Sequence, residues 1–592
     1  MACIFLKIIL YFKLKDTVMN LLLILKLELL QVIKNALGLS DEDAARVDIS
    51  LNVGKDRTFG DMSCNAAMML AKKLEKNPRA LAQEIEQIIM AASQNEENTV
   101  LFGTIKSVEI AGPGFLNITL NNEIWWTLAL EFFQQKDMFF QLDFDEKDRQ
   151  KYLIEFVSAN PTGPLHLGHG RGAIIGDTLA RVINFLGHSA EKEFYINDAG
   201  NQLAILGKSL KIRCMQELGE QVVFPEDGYA GQYMIDLAKE CVEQLGRDVI
   251  KNDERFFADY AKERMLASQR RDLENYRVVF DRWFSEKTLH DSGAVAGTIE
   301  LLKKEGLVYE QDGALWFKST QFGDDKDRVV KKSDGSWTYI AADIAYHKDK
   351  FDRGYTKMVN ILGQDHHGYV KRLKATMDAI GCQADKLDVI LYQLVTIKEN
   401  DVVLRMSKRS GKFTQLSDVI DEVGVDVARF FYLNRKAEAH LEFDLATALK
   451  KTDENPVFYI QYAYVRICSL LEKARQSGQF DEYLNVLFTG GWDEEELVNI
   501  VKSMGEHEFA VLRKIAQLQD ILSSVAFGYQ THLLSYYTWE LAQAFHNYYT
   551  NNKVVDIENI GQSKVRLFTV ILAKDALEIC LDLLGLSKPE KM

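Results

Sequence analysis

The spacing of apolar positions changes twice along the chain, dividing it into three stretches. Between about Met19 and Asn121 the stretch AAMMLAKKLEKNPRALAQEIEQII has helical periodicity broken at an Asn-Pro pair, and SVEIAGPGFLNITL alternates like two strands around a Gly-Pro-Gly turn. That mixture predicts a small α+β unit. From Lys151, KYLIEFVSAN reads as a strand, and GRGAIIGDTLARVINFLGH then puts Ile174, Ile175, Leu179, Val182, Ile183 and Leu186 on one face of a helix. AEKEFYIND returns to strand spacing. A β-α-β unit of this kind implies parallel strands and a right-handed crossover. Strand-like runs recur at KMVNILG and DVILYQLVTI with helical patterns between them, which predicts an α/β domain built on a doubly wound parallel sheet. The charged helical stretch from about 206 to 305 reads as an insertion into it. Beyond about Asn455 only helical spacing remains: Ile460, Ala463, Ile467, Leu470 and Ala474 share one face, and Leu534, Tyr537, Leu541, Phe545 and Tyr548 another. This predicts a C-terminal helical bundle. The expected division is an N-terminal domain at 19–122, an α/β domain at 123–454 and a helical domain at 455–592.

Length and composition add limits. A chain of 592 residues exceeds what one core can hold, and 47% hydrophobic with 27% charged residues is ordinary for a globular protein. A net charge of −15 gives no bulk signature of nucleic-acid binding, although local basic faces remain compatible with it. The seven cysteines (Cys3, Cys64, Cys214, Cys241, Cys382, Cys468, Cys580) are scattered without a CxxC pair, which suits reduced thiols and shows neither a disulfide framework nor a zinc site. The opening MACIFLKIILYFKLKDTVMNLLLILKLELL is apolar but broken by Lys7, Lys13, Lys15 and Lys26, too often for a membrane span or a signal peptide. Residues 1–18 are expected to be an extension upstream of a native start at Met19.

Two short stretches carry chemistry. In PLHLGHG the predicted first strand gives way to a helix, and there free backbone N–H groups and the helix dipole favour phosphate. His166 and His169 lie on one side of a helical turn, where both imidazoles can meet the charge of a phosphoryl transition state. RMSKRSGKF, residues 405–413, packs Arg405, Lys408, Arg409 and Lys412 among Ser407, Ser410 and Gly411, a composition suited to gripping pyrophosphate. No Walker-type GxxxxGK[ST] is present.

An HxGH element followed about 240 residues later by MSK resembles the paired signatures of class I aminoacyl-tRNA synthetases. The flanking IEFVSANPTGPLHLGHGRGAIIGDTLARVINFLGH, GSWTYIAADIAYHKDKF, GQDHHGYVKRLKATMDAIG, NPVFYIQYAYVRICSLLEKA and GLSKPEKM are similar to arginyl-tRNA synthetases of bacterial or archaeal type. So are FGDMSCNAAMMLAKKL, NPRALAQEI and VEIAGPGFLNITL, which resemble that family's additional N-terminal domain. The resemblance runs from about Met19 to Met592.

The resemblance implies a Rossmann-type catalytic domain that joins L-arginine to tRNA(Arg) through an adenylate made from ATP. It implies catalytic roles for His166, His169 and Lys408, and ATP contacts from His166, Gly168, His169, Gly363, His367, Met406, Ser407 and Lys408. Glu155, Asn160, Tyr339, Asp343 and Gln364 would hold arginine, and carboxylates, an amide and a phenol do suit a guanidinium. Asp198 and Gln202 are weaker site candidates that would brace the crevice. In the bundle, Tyr462, Arg466, Tyr548 and Tyr549 are candidates for holding anticodon-loop bases, since aromatics and arginine read single-stranded RNA. The N-terminal domain would touch the outer corner of the tRNA, and activation would need tRNA present. Mg²⁺ is expected only with ATP, with no dedicated protein ligands. A cytoplasmic monomer with no membrane contact is expected. Arg405 and Arg409 depart from the usual KMSKS pattern, which rests the catalytic expectation on Lys408.

Other readings stay open at this point. A cysteine-specific synthetase would be expected to show zinc ligands, and a branched-chain one a large editing insertion. A small-molecule nucleotidyl transferase would not need the bundle. A catalytically inactive tRNA-binding paralogue would have little reason to keep His166, His169, Lys408 and the carboxylates.

Overall fold

The computed structural model describes residues 20–52, 57–142, 146–399, 402–403 and 415–592. The expected extension 1–18 and the 405–413 loop, with Met406, Ser407 and Lys408, lie outside the described residues. In the N-terminal region, helices Leu21–Leu37 and Pro78–Gln94 accompany an antiparallel four-stranded sheet. The Asn-Pro break is a helix start: Asn77 accepts from the Arg79 and Ala80 amides, and Pro78 occupies the first turn, where its missing N–H loses nothing. The Gly-Pro-Gly stretch joins strands Ile105–Ala111 and Phe115–Leu120 as an antiparallel pair.

The central sheet has five parallel strands: β1 Lys151–Phe156, β2 Ser189–Ile196, β3 Arg282–Ser285, β4 Lys357–Gly363 and β5 Leu387–Tyr392. Their spatial order, β3-β2-β1-β4-β5, is that of a doubly wound nucleotide-binding fold. Helix α1, Leu167–Phe185, crosses from β1 to β2. It lies so close to β1 that a Cβ on Gly176 would stand 2.4 Å from the Phe156 ring.

The expected insertion is shorter than 206–305. Helices α2 Asn201–Glu217, α3 Gln232–Leu245 and α4 Glu254–Asn275 form it, with an apolar core of their own around Leu210, Cys214, Met234, Cys241 and Phe257. β3, however, falls inside the expected span and pairs with β2 as a strand of the central sheet. Four residues, RWFS, are too few for alternation to stand out among charged neighbours. After β3 come helices Glu286–Asp291 and Ala294–Lys304, a small antiparallel sheet at 308–331, and helix α5, Tyr339–Asp352. DVILYQLVTI also divides: β5 stays in the main sheet, while Val395–Glu399 leaves it to pair with Val402–Val403 and Leu441–Asp444.

The C-terminal region is helical throughout, beginning with α7, Pro456–Gln476, which Asn455 caps through the Val457 amide. Before it, α6 (Val425–Tyr432) carries Arg429, fully buried, which bonds Asp177 of α1, the Tyr276 carbonyl and the Leu584 carbonyl. That one guanidinium ties the catalytic sheet, the insertion and the bundle together. Among the described residues no helix is long and apolar enough to cross a membrane.

Candidate active site

In an open α/β sheet the crevice lies beyond the carboxyl ends of the strands, where the winding reverses. Here that point falls between β1 and β4, and the ends of β1, β2, β3 and β4 supply Glu155, Asp198, Glu286 and Gln364. β1 leaves the sheet through a strained turn, with φ of 66° at Val157 and 43° at Ser158. Left-handed backbone at two non-glycine residues, one of them β-branched, costs roughly 1–3 kcal/mol each and persists only where neighbours over-determine it. Those neighbours are visible. Ser158 Oγ donates to Glu155 at 3.1 Å and accepts from the Tyr195 amide at 3.2 Å.

The turn leads to His166, which caps α1. His166 Nδ1 accepts from the Gly168 amide at 3.1 Å, and His169 Nδ1 accepts from the His166 amide at 3.2 Å. The two rings stack with centroids 3.7 Å apart. Desolvation lowers the pKa of both, and the neighbouring His166 helps take His169 down to about 3. Both imidazoles are therefore neutral, and because each Nδ1 is an acceptor, each Nε2 carries the proton. Two N–H donors at a helix N-terminus are what a polyphosphate needs.

Two of the five residues expected to hold arginine, Glu155 and Asp343, stand close enough to act on each other, together with a third carboxylate, Glu286, that the sequence reading missed. Asp343, on the first turns of α5, has its pKa raised to about 8 by burial and then by Glu155 and Glu286. Glu286, the first residue after β3, is buried, and Tyr195 beside it is pushed upward by burial and then by the Glu286, Asp343 and Glu155 carboxylates. A signal for Glu286 was present only as one acid in a charged stretch.

Glu155 is already engaged: Lys350 Nζ, fully buried, donates to its Oε2 at 2.5 Å and to Asn360 Oδ1 at 3.1 Å. Its remaining oxygen takes the Ser158 hydroxyl, so both oxygens are engaged and Glu155 acts on Asp343 through its charge. His347 lies buried beside them, donating from Nδ1 to the Asp343 carbonyl and accepting from Asn360; burial holds its pKa near 3.

Tyr339 is 61% exposed at the start of α5, with its hydroxyl 3.5 Å from the Cβ position of Gly200. Asn160 is exposed on the loop after the strained turn, and Gln364 is half-buried at the end of β4. Asp198 takes the Ser285 hydroxyl on both oxygens at 2.8 Å and the Lys287 amide at 3.0 Å, which makes it a brace between β2 and β3. Gln202 sits half-buried in the first turn of α2. Gly363 ends β4, and His367 is exposed on the turn Gln364–Tyr369 beyond it.

The bundle brings three of the four expected RNA-facing residues together. Arg466 stacks over the rings of Tyr462 and Tyr549, at 4.5 and 4.7 Å. Tyr459, Trp539 and His546 extend the same aromatic patch and were not singled out from the sequence. Tyr548 departs from the expectation. Its ring is buried and its hydroxyl donates to Glu508 at 2.9 Å, so it packs the bundle, as its place on the periodic apolar face of that helix requires.

Comparison with known proteins agrees with this geometry. The family model for "tRNA synthetases class I (R), catalytic domain" matches residues 134–443. Those for the "Arginyl tRNA synthetase N terminal domain" and the "DALR anticodon binding domain" match 25–120 and 460–592. The chain is 39% identical over 572 residues to Arginine–tRNA ligase 1 of Halalkalibacterium halodurans, covering 96% of this chain and 98% of that one. It is 41% identical over 551 residues to the arginine–tRNA ligase of Desulforamulus reducens, covering 92% and 94%. Thermus thermophilus arginyl-tRNA synthetase shares the fold, with a TM-score of 0.71 over 95% of this chain and 99% of that one at 20% identity. With a catalytic-domain match over more than half its length and relatives this similar end to end, the chain belongs to the arginyl-tRNA synthetase family of class I aminoacyl-tRNA synthetases.

Proposed function

We propose that this chain ligates L-arginine to tRNA(Arg) using ATP. In the first step an arginine carboxylate oxygen bonds to the α-phosphorus of ATP as the bond to the pyrophosphate oxygen breaks. In the second, a terminal ribose hydroxyl of the tRNA attacks the adenylate carbonyl, and AMP leaves. The observation that carries the reading is the gathering of Asp343, Glu286 and Glu155, with buried Lys350 paired to Glu155, in a fold that also sets two neutral histidines at the start of α1.

In this reading Asp343 and Glu286 take the guanidinium, Tyr339 closes the rim, and Asn160 and Gln364 hold the α-amino and carboxylate end. Neutral His166 and His169 donate from Nε2 to phosphate oxygens, which favours the charge that develops as pyrophosphate departs. Lys408, with Met406 and Ser407, would take the pyrophosphate, while Gly168, Gly363 and His367 leave room for the nucleoside. Mg²⁺ would accompany ATP as a counterion of its phosphates. Among the described residues no group of three or more His, Cys, Asp or Glu side chains is gathered to hold a metal. The N-terminal domain at 19–122 and the patch of Tyr462, Arg466 and Tyr549 would hold the tRNA corner and the anticodon loop, in a monomeric cytoplasmic enzyme.

The test is charging of total tRNA with each labelled amino acid in turn, with ATP. Charging with arginine alone is expected. Charging with another amino acid would refute the specificity, and no charging by a folded preparation would point to an inactive tRNA-binding protein.

A further inference from the structure

The loop between the strained turn and His166 is held largely from outside the catalytic sheet. Gln269 of α4 is fully buried, and its Nε2 donates to the Asn160 carbonyl at 3.1 Å and to the Gly163 carbonyl at 2.8 Å. Tyr233 of α3 donates its hydroxyl to the Thr162 carbonyl at 2.9 Å. The loop backbone rests against that tyrosine: a Cβ on Gly163 would lie 3.3 Å from its hydroxyl oxygen. Three carbonyls in four residues are thus taken by side chains of the helical insertion.

The orientation of Gln269 follows from these bonds. Both of its amide hydrogens are used on the loop, while its Oε1 finds no donor among the described residues. Turning the amide over would set that oxygen against two carbonyls, so the loop contacts decide which way it faces. Gln269 also sits where α4 changes allegiance: Met265, one turn earlier, belongs to the insertion core, and Leu273, one turn later, belongs to the main core. The insertion therefore carries a rigid donor pair to the backbone of the residues between the arginine pocket and the histidines.

We infer that Tyr233 and Gln269 are positioning residues for arginine activation: through the 160–163 backbone they set where Asn160 and His166 stand. The inference rests on the proposed function, since it concerns the placing of that site. Neither side chain needs to touch a substrate. What they supply is the register of a loop whose two ends serve different substrates, and misplacement by an ångström at such a loop is enough to lower rate substantially.

The test is arginine-dependent ATP–pyrophosphate exchange with tRNA present, on the wild type, Tyr233→Phe, Gln269→Met and the double variant. Tyr260→Phe is the control, because its hydroxyl bonds Gln244 on the outer face of the insertion. Active-site titration and thermal melting accompany each. Tyr233→Phe is expected to raise the arginine KM about three- to tenfold, and Gln269→Met about tenfold or more with a lower kcat. The active fraction and the melting temperature of Tyr233→Phe should stay near wild type. Because both residues hold one loop, the double variant should lose less than the product of the two single effects. A merely structural role would lower the active fraction and leave the arginine KM unmoved, and that result overturns the inference. Should Gln269→Met fail to fold, Tyr233→Phe, which loses one oxygen atom, decides alone. A wild type with no arginine-dependent exchange would instead refute the proposed function.

Discussion

Arginine binding should expel a proton from Asp343. The free carboxyl has a pKa of about 8, raised by burial and then by Glu155 and Glu286 and only partly offset by Lys350 and Arg372. Tyr195 and His347 also face it; the first is shifted further up and stays protonated, and the second, at about 3, stays neutral. His290 stands behind Glu286 at 3.4 Å. At pH 7 a group with this pKa is about 90% protonated. A guanidinium at about 4 Å and an effective dielectric constant near 20 contributes roughly 4 kcal/mol, or about three pKa units, which leaves Asp343 ionised in the complex.

The arginine KM should then fall roughly ninefold from pH 6 to 7 and about fivefold from 7 to 8, and level off above. The measurement is the arginine KM in pyrophosphate exchange at constant ionic strength. Proton release can be read by calorimetry in buffers of different ionisation enthalpy. A KM flat from pH 6 to 8 would refute the reasoning, and so would a slope that survives Asp343→Asn. The same shift acts on stability in the opposite sense. The folded carboxyl keeps a proton that the unfolded one, at 3.8, has lost, so its contribution declines as pH rises from about 4 to about 8.

Other outcomes follow from the same geometry. Lys350→Met removes the one counter-charge bonded to Glu155 among the described residues and should lower stability by about 3–5 kcal/mol in urea titration; a loss under about 1 kcal/mol would mean the pair is not closed. His166→Gln should reduce the exchange rate roughly 10²- to 10³-fold with little change in arginine KM. That rate should show no histidine inflection near pH 6.5, because His166 and His169 are both shifted down, and an inflection there would contradict neutral donors. Tyr462→Ala should weaken tRNA binding by about 1–3 kcal/mol per lost stacking contact, whereas Tyr548→Phe, whose hydroxyl is spent on Glu508, should leave tRNA affinity unchanged in a filter-binding assay.

What the sequence by itself determined is whatever depends on neighbours along the chain. The Asn77-Pro78 helix start, the Ile105–Leu120 hairpin, the β1-α1-β2 unit and the placing of His166 at a helix cap all follow from local spacing and capping chemistry. The histidine pair and the MSK stretch were legible for the same reason, since each is a short run whose chemistry sits in consecutive residues. Tertiary structure decided the partners. Nothing near Glu155 in the chain says that Lys350, on a helix 195 residues away, will take its carboxylate. Nothing near Glu286 says that a four-residue strand will carry it to where its charge acts on Asp343. Tyr548 already lay on the periodic apolar face that buries it, whereas only packing shows that Tyr549, one residue on, stacks on Arg466. Gln269 reads as one polar residue on a charged helix, and it acquires a role only when the fold lays the Asn160–Gly163 backbone against it. Backbone pattern is a one-dimensional property, whereas charge balance and loop support depend on which distant side chains share a small, poorly solvated volume.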